Sequence, residues 1–234
     1  MPVFYTLTKN QKPGLTGRPI ILCHDGPTEC ISSFLDHILQ LIAKAQKSYL
    51  KDTTQFINII EKRKAILVSM DVASRYTNIP QEEGINTVCR AYEAFYNNDT
   101  PIPTNSFRGL LRLILQENSF QFNGRNCLQT HCTAMGTKVA VSFANIFISA
   151  VETEIIDKSK IKPLGWKRYI DDVISLWDTT RGGIDQFILV ANMHHPTIHI
   201  TAEISKEKTN FVDTNIFKGE RFLQRFNLWH LYAL

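Results

Sequence analysis

Two adjacent carboxylates, Asp171 and Asp172, stand in the middle of a stretch that otherwise favours β-sheet: Lys167-Arg168-Tyr169-Ile170-Asp171-Asp172-Val173-Ile174-Ser175-Leu176-Trp177. The β-branched and aromatic residues on either side predict two strands joined by a tight Asp-Asp turn, with both carboxylates at the tip of a hairpin. Like charges that close repel each other, so the arrangement is costly unless a cation lies between them. Aspartate is also an ordinary turn residue, because its side chain bonds to nearby backbone. An isolated pair would carry no further meaning.

A third acid on another strand changes that balance. Ile66-Leu67-Val68-Ser69-Met70-Asp71-Val72 is an apolar, strand-like run ending in Asp71. Asp71, Asp171 and Asp172 together form the one carboxylate cluster that separate strands of this sequence would bring together. Such oxygen donors suit Mg²⁺, which completes its octahedron with water and substrate phosphate. A pair of Mg²⁺ ions stabilises both the attacking and the leaving oxygen of an in-line phosphoryl displacement. The chemistry indicated is nucleotidyl transfer.

On these motifs the chain resembles a reverse transcriptase, with the Penelope-like retroelement branch the nearest match. The resemblance is carried by Phe4-Tyr5-Thr6-Leu7-Thr8-Lys9 with Gly17-Arg18-Pro19-Ile20, by Ser48 to Thr54, and by Met70-Asp71-Val72 through Ile79-Pro80. It continues in Thr133-Ala134-Met135-Gly136-Thr137-Lys138 with Ala144 to Phe147, in Arg168 to Asp172, and in His195 to Ile198 leading to Glu207 to Asp213. It implies an α+β fold: a polymerase palm with a ferredoxin-like antiparallel sheet covered by helices, plus partial fingers. The implied division is partial fingers at 1–65, palm at 66–218 and a non-matching tail at 219–234.

The resemblance also implies roles. Asp71, Asp171 and Asp172, with the backbone carbonyl of Val72, would bind two Mg²⁺ ions. Tyr76 would lie under the incoming sugar and exclude a ribose 2′-hydroxyl, and Gly136 would help to bind the nucleotide. Arg18 would contact the triphosphate, with Lys9 or Lys12 adding positive charge; cations there neutralise the transferring phosphoryl group. Lys208 would act as general acid for the pyrophosphate leaving group. The implied partners are an RNA template, a DNA primer and deoxynucleoside triphosphates, and the implied location is intracellular, in nucleus or cytoplasm.

Some positions depart from the family pattern. His131-Cys132 stands where relatives read Gln-Gly, and a side chain blocks a close approach that glycine permits. Val141 stands in place of proline, Arg75 in place of a small or apolar residue, and Thr8 in place of proline. The sequence after Lys218 matches neither a thumb nor an endonuclease domain. A catalytically silent remnant that keeps the palm and at most binds nucleic acid is therefore a second reading, and an unrelated α+β module in which the acids are only turn residues is a third.

Composition bears on this only weakly. The 234 residues are 44 % hydrophobic, enough for a sizeable core, and the formal net charge of +4 is compatible with binding phosphate without arguing for it. Lys44, Lys47, Lys51, Lys62, Arg63 and Lys64 form a local basic bias, which a solvated helix face would equally produce. The five cysteines lack metal-ligand spacing and read as reduced thiols. No signal-peptide pattern opens the chain, and no apolar run is expected to be long enough to span a membrane.

Apolar periodicity predicts helices from Ile31 to Lys47, from Thr53 or Thr54 through Ile60, from Pro80 to Asn97, from Ser106 to Asn118, within Met135 to Asp157, and over Ile184 to Met193. Lys9 to Pro19 reads as a loop or loose hairpin. Strands are expected at 66–71, in hairpins about Asn123-Gly124 and over 164–177, and at Ile198–Ile204 and Phe211–Phe217. The β-α-β-β-α-β order suggests helices packed on one face of an antiparallel sheet. If Tyr76 guards the sugar, Tyr76→Ala should incorporate ribonucleotides more readily than the parent when both classes of nucleotide are offered in primer extension; equal discrimination would remove Tyr76 from that role.

Overall fold

The computed structural model describes residues 2–8, 17–24, 26–52, 55–56, 65–73, 78–131, 133, 135–205, 208–212, 214–218 and 229–233. They fall into two compact units, each drawn from separate stretches of chain: Met1–Ala43 with Tyr76–Ile148, and Lys44–Arg75 with Ser149–Leu234.

In the first unit, strand β1 (Val3–Thr8) pairs antiparallel with β2 (Gly17–Leu22). The stretch expected as a loop or loose hairpin thus joins two antiparallel strands and ends inside the second, where Pro19 lies opposite Thr6. Strands β4 (Ser119–Phe122) and β5 (Arg125–Leu128) form the expected hairpin. Asn123 and Gly124 turn it at φ of 49° and 73°, the left-handed pair that a two-residue hairpin loop requires. One parallel contact between Val3 and Gln121 joins the hairpins in the order β2-β1-β4-β5.

Helix α1 (Glu29–Lys44) buries Leu35, Ile38, Leu39 and Ile42 at the expected helical spacing. Helix α2 (Gln81–Phe95) starts directly after Pro80, where a missing N–H costs nothing, and α3 (Thr104–Gln116) packs against it. Tyr92 and Phe107 stack at 4.1 Å, and the Tyr92 hydroxyl donates to the Ile102 carbonyl while accepting from its N–H. At the start of helix α4 (Val139–Lys158), Ser32 Oγ accepts the Val139 N–H at 3.1 Å, satisfying a donor that the helix itself leaves open. The 20 residues of α4 are long and apolar enough to cross a membrane, which corrects the expectation that no such run exists. With 67 % of its apolar window buried inside the protein, α4 is accounted for as a core helix.

In the second unit, β3 (Ile66–Ala73), β6 (Gly165–Tyr169), β7 (Asp172–Trp177) and β8 (His199–Ser205) form one antiparallel sheet in the order β6-β7-β3-β8. Helix α5 (Arg181–His194), capped by Thr180 Oγ1 accepting the Gly183 N–H, links β7 to β8. This strand order is that of the expected ferredoxin-like arrangement. Trp166 and Trp177 pack on Phe187 of α5, so one face of the sheet is covered by that helix. On the other face Leu67, Ile174 and Leu176 join Leu50, Phe56, Phe211 and Ile216 in a buried cluster.

A second sheet of β9 (Lys208–Phe211), β10 (Thr214–Lys218) and β11 (Trp229–Ala233) supplies part of that cluster. The expected single strand Phe211–Phe217 is thus two antiparallel strands, because the chain reverses after Phe211 and Val212 takes φ of 53°. The helix expected around Thr53 to Ile60 lies largely outside the described residues; within them, Asp52 Oδ1 accepts the Gln55 N–H at 2.8 Å.

Gly84 on α2 permits the close approach of α4 in the first unit: a Cβ there would lie 2.6 Å from Phe143 Cζ and 2.9 Å from Ile79 Cγ2. In an open helix Gly→Ala stabilises by about 1 kcal/mol, but here both neighbours are fully buried and cannot yield cheaply. Gly84→Ala should therefore destabilise by about 1–3 kcal/mol, as overpacking does, in urea unfolding followed by circular dichroism.

Candidate active site

Side chains alternate across a strand, and the register of the second unit's sheet places Asp71 directly opposite Asp172. Such partners have Cα atoms about 5 Å apart. Both carboxylates leave the face opposite the Trp166–Phe187 packing, beyond the end of the Leu67–Ile174–Leu176 cluster. Asp71 is exposed and Asp172 partly so, and their row continues across β8 into Thr201, also exposed. The apolar core therefore fills one end of this face and leaves the acids at its open end.

The turn before β7 differs from expectation. It consists of Ile170 and Asp171, with Asp172 already paired in the ladder opposite Tyr169. Ile170 takes φ of 54°, an unfavourable conformation for a β-branched residue. The Asp171 carbonyl accepts the Val72 N–H at 3.2 Å, tying the turn to the end of β3. Strand β3 also runs on past Asp71 to Ala73, so Asp71 is within the strand and not at its end.

The structure thus brings Asp71, Val72, Asp171 and Asp172 together on two neighbouring strands and their turn. Among the described residues no group of three or more Asp, Glu, His or Cys side chains forms a metal-holding cluster. The acids are neighbours along the backbone without three carboxylates converging on one point. Their chemistry still suits a hard divalent cation: the donors are all oxygen, and like charges directly opposite on a sheet repel. Asp71 and Asp172 from facing strands, with Asp171 beside them, are the residues that would hold it.

The remaining predicted residues lie elsewhere. Lys208 is exposed at the start of β9, in a different sheet from the acids. Arg18 lies on β2 of the first unit opposite Leu7, and its side chain is outside the described residues, as are Lys9, Lys12, Arg75, Tyr76 and Cys132 altogether. Gly136, also in the first unit, takes φ of 120°, which L side chains rarely adopt. It lines a cavity of about 90 Å³ with Cys23, His24, Glu29 and Lys138. Lys138 and Glu29 form an ion pair there at 3.3 Å. Burial, with the Glu29 charge adding to it, pushes the Cys23 thiol up to about 11, so it is a neutral wall of that cavity at ordinary pH. Val141, on the first turn of α4, is exposed.

Sequence reasoning assigned no role to Arg168 or Glu152, which form a buried ion pair beneath the turn at 2.9 Å. The available signal was the alternation of β6, which puts Arg168 on the same inward face as Trp166.

No family model matches the sequence, and no curated protein matches it. Solved structures match by shape. The apo telomerase of Candida tropicalis, truncated from its C-terminal domain, gives a TM-score of 0.65 at 10 % identity, covering 100 % of this chain and 55 % of that one. The telomerase of Candida albicans in complex with a TWJ fragment of telomeric RNA gives 0.67 at 11 % identity, over 92 % and 45 %. The RNA-dependent RNA polymerase of a human picobirnavirus gives 0.63 at 9 % identity, over 92 % and 43 %. The chain spans about half the length of these structures. What it shares with them is a nucleic-acid polymerase palm fold of reverse-transcriptase-like architecture.

Because Asp71 and Asp172 oppose each other, neutralising one should relieve repulsion in metal-free protein. Asp172→Asn is expected to gain about 0.2–1 kcal/mol in urea unfolding, and to lose the stabilisation that added Mg²⁺ gives the parent.

Proposed function

We propose that this chain is the catalytic core of an RNA-directed DNA polymerase, a reverse transcriptase of the Penelope-like retroelement kind, with partial fingers at 1–65 and a palm at 66–218. The carrying observation is the pairing of Asp71 with Asp172 at the open end of a ferredoxin-like sheet, with Asp171 in the adjoining turn. The substrates on this reading are an RNA template, a DNA primer and deoxynucleoside triphosphates, and the setting is intracellular, in nucleus or cytoplasm.

Two Mg²⁺ ions, when bound, would supply Lewis acidity at the attacking 3′-oxygen and at the leaving pyrophosphate. The chain's own part is to hold the carboxylates rigidly. β3 fixes Asp71 through pairing on both sides, and the β6–β7 hairpin fixes Asp172. Arg18, with Lys9, would steady the triphosphate; Tyr76 would test the sugar; Gly136 would let the nucleotide approach the backbone; Lys208 would protonate pyrophosphate. A palm that no longer catalyses is the second reading. It is favoured by Cys132 in place of the family's glycine, and by the lack of a converged carboxylate triplet among the described residues.

Primer extension on an RNA template with deoxynucleotides and Mg²⁺ separates the two. The parent should extend the primer, and Asp171→Asn should be slower by about 10²–10³-fold, the usual penalty for losing a group that stabilises transition-state charge. Template binding without extension by the parent would establish the silent palm instead.

A further inference from the structure

We infer that Arg168 is a positioning residue for the aspartate turn, locked in place by its buried ion pair with Glu152 of α4. This rests on the reading above only in that it takes Asp171 and Asp172 as the working acids. Ile170 is strained at φ of 54°, and such a conformation persists only where its surroundings over-determine it. The Arg168 guanidinium is one of those surroundings: Nη1 donates to the Ile170 carbonyl at 2.9 Å while Nε donates to Glu152 Oε1 at 2.9 Å.

Arg168 is itself held from several sides. Its N–H donates to the Ser48 carbonyl at 2.7 Å, its carbonyl accepts the Leu50 N–H at 3.1 Å, and its side chain is only 3 % exposed. Glu152 is 4 % exposed, and its second oxygen, Oε2, is buried without a hydrogen-bond partner among the described residues. Buried ion pairs stabilise folds poorly even when fully satisfied, and this one leaves an acceptor unmet. Its geometry is better suited to specifying position. A planar guanidinium presents N–H groups in a fixed fork, so one end on a helix carboxylate and the other on the turn carbonyl define where Ile170, and hence Asp171 and Asp172, must sit. A lysine ammonium offers no such fork. Neither Arg168 nor Glu152 acts on a reacting atom; both act through the turn.

The test uses the full chain in three forms: parent, Arg168→Lys, and Arg168→Met combined with Glu152→Met, which removes both charges without orphaning one. Hydrogen exchange of the Val72 amide, which donates to the Asp171 carbonyl, reads the turn without requiring activity. Exchange at Val68 and Leu176 reads the middle of the sheet. Both variants should unfold cooperatively, with Val68 and Leu176 protected as in the parent and Val72 exchanging about tenfold faster or more, the mark of local opening. In primer extension kcat should fall by about 10²-fold, the effect of slight misplacement of working groups, while KM for the nucleotide stays near the parental value. Parental exchange at Val72 in either variant would overturn the proposal. So would loss of cooperative folding in both, which would make the pair a support of the core. If the parent itself fails to extend a primer, the polymerase reading fails, and Val72 exchange still decides whether Arg168 sets the turn.

Discussion

The register between β3 and β7 is the constraint on which the second unit depends. Strand side chains alternate with a period of two, so a slip of one residue would exchange the faces of every residue in the ladder. In the observed register Leu67, Ile174 and Leu176 share a face with Asp71 and Asp172 but occupy its covered end. Each fully buried aliphatic side chain contributes about 1.5–3 kcal/mol. A slip would forfeit several of these and turn one acid toward the helix-covered face, where burying a charge costs several kcal/mol more. The core that stabilises the sheet therefore also fixes where the acids stand.

The sheet keeps two kinds of charge on opposite faces. Asp71 and Asp172 lie on the open side, near each other and near water. Arg168 and Glu152 lie on the inward side, paired and almost wholly buried. The strained turn at Ile170 is where the two arrangements meet, since Arg168 bonds the turn carbonyl and the turn delivers Asp171 and Asp172. The buried Arg168 guanidinium, paired with Glu152, thus bonds the turn from which Asp171 and Asp172 are presented.

The likeness to telomerases and a viral RNA polymerase, at 9–11 % identity, shows a fold and not an activity. Function on a shared palm depends on the site itself, here on which acids the β3–β7 pair and its turn present. Asp71 and Asp172 face each other on adjacent strands, with Asp171 in the adjoining turn.

Much of this architecture was legible because local rules and tertiary packing agree. The helical spacing of Leu35, Ile38, Leu39 and Ile42, the Asn123-Gly124 turn and the apolar runs around Asp71 and Asp172 each specify their element from a few neighbouring residues, and the order of elements then implies a ferredoxin-like sheet. What stayed hidden depends on partners distant in sequence. No local pattern announces that Val212 reverses the chain and splits Phe211–Phe217, or that Trp229–Ala233 pairs with β10 across the intervening residues. Nor does local sequence distinguish the long, largely apolar helix α4 from a membrane span; burial against the rest of the protein does that. The shift of the turn from Asp171-Asp172 to Ile170-Asp171 has the same origin. Propensity places two aspartates in a loop, but pairing Asp172 with Asp71 and anchoring the Ile170 carbonyl on Arg168 draw Asp172 into the ladder. The sequence by itself determined the main helices and the strands that carry the acids, because neighbouring residues specify them; only the tertiary structure decided the register, and through it which carboxylates face each other.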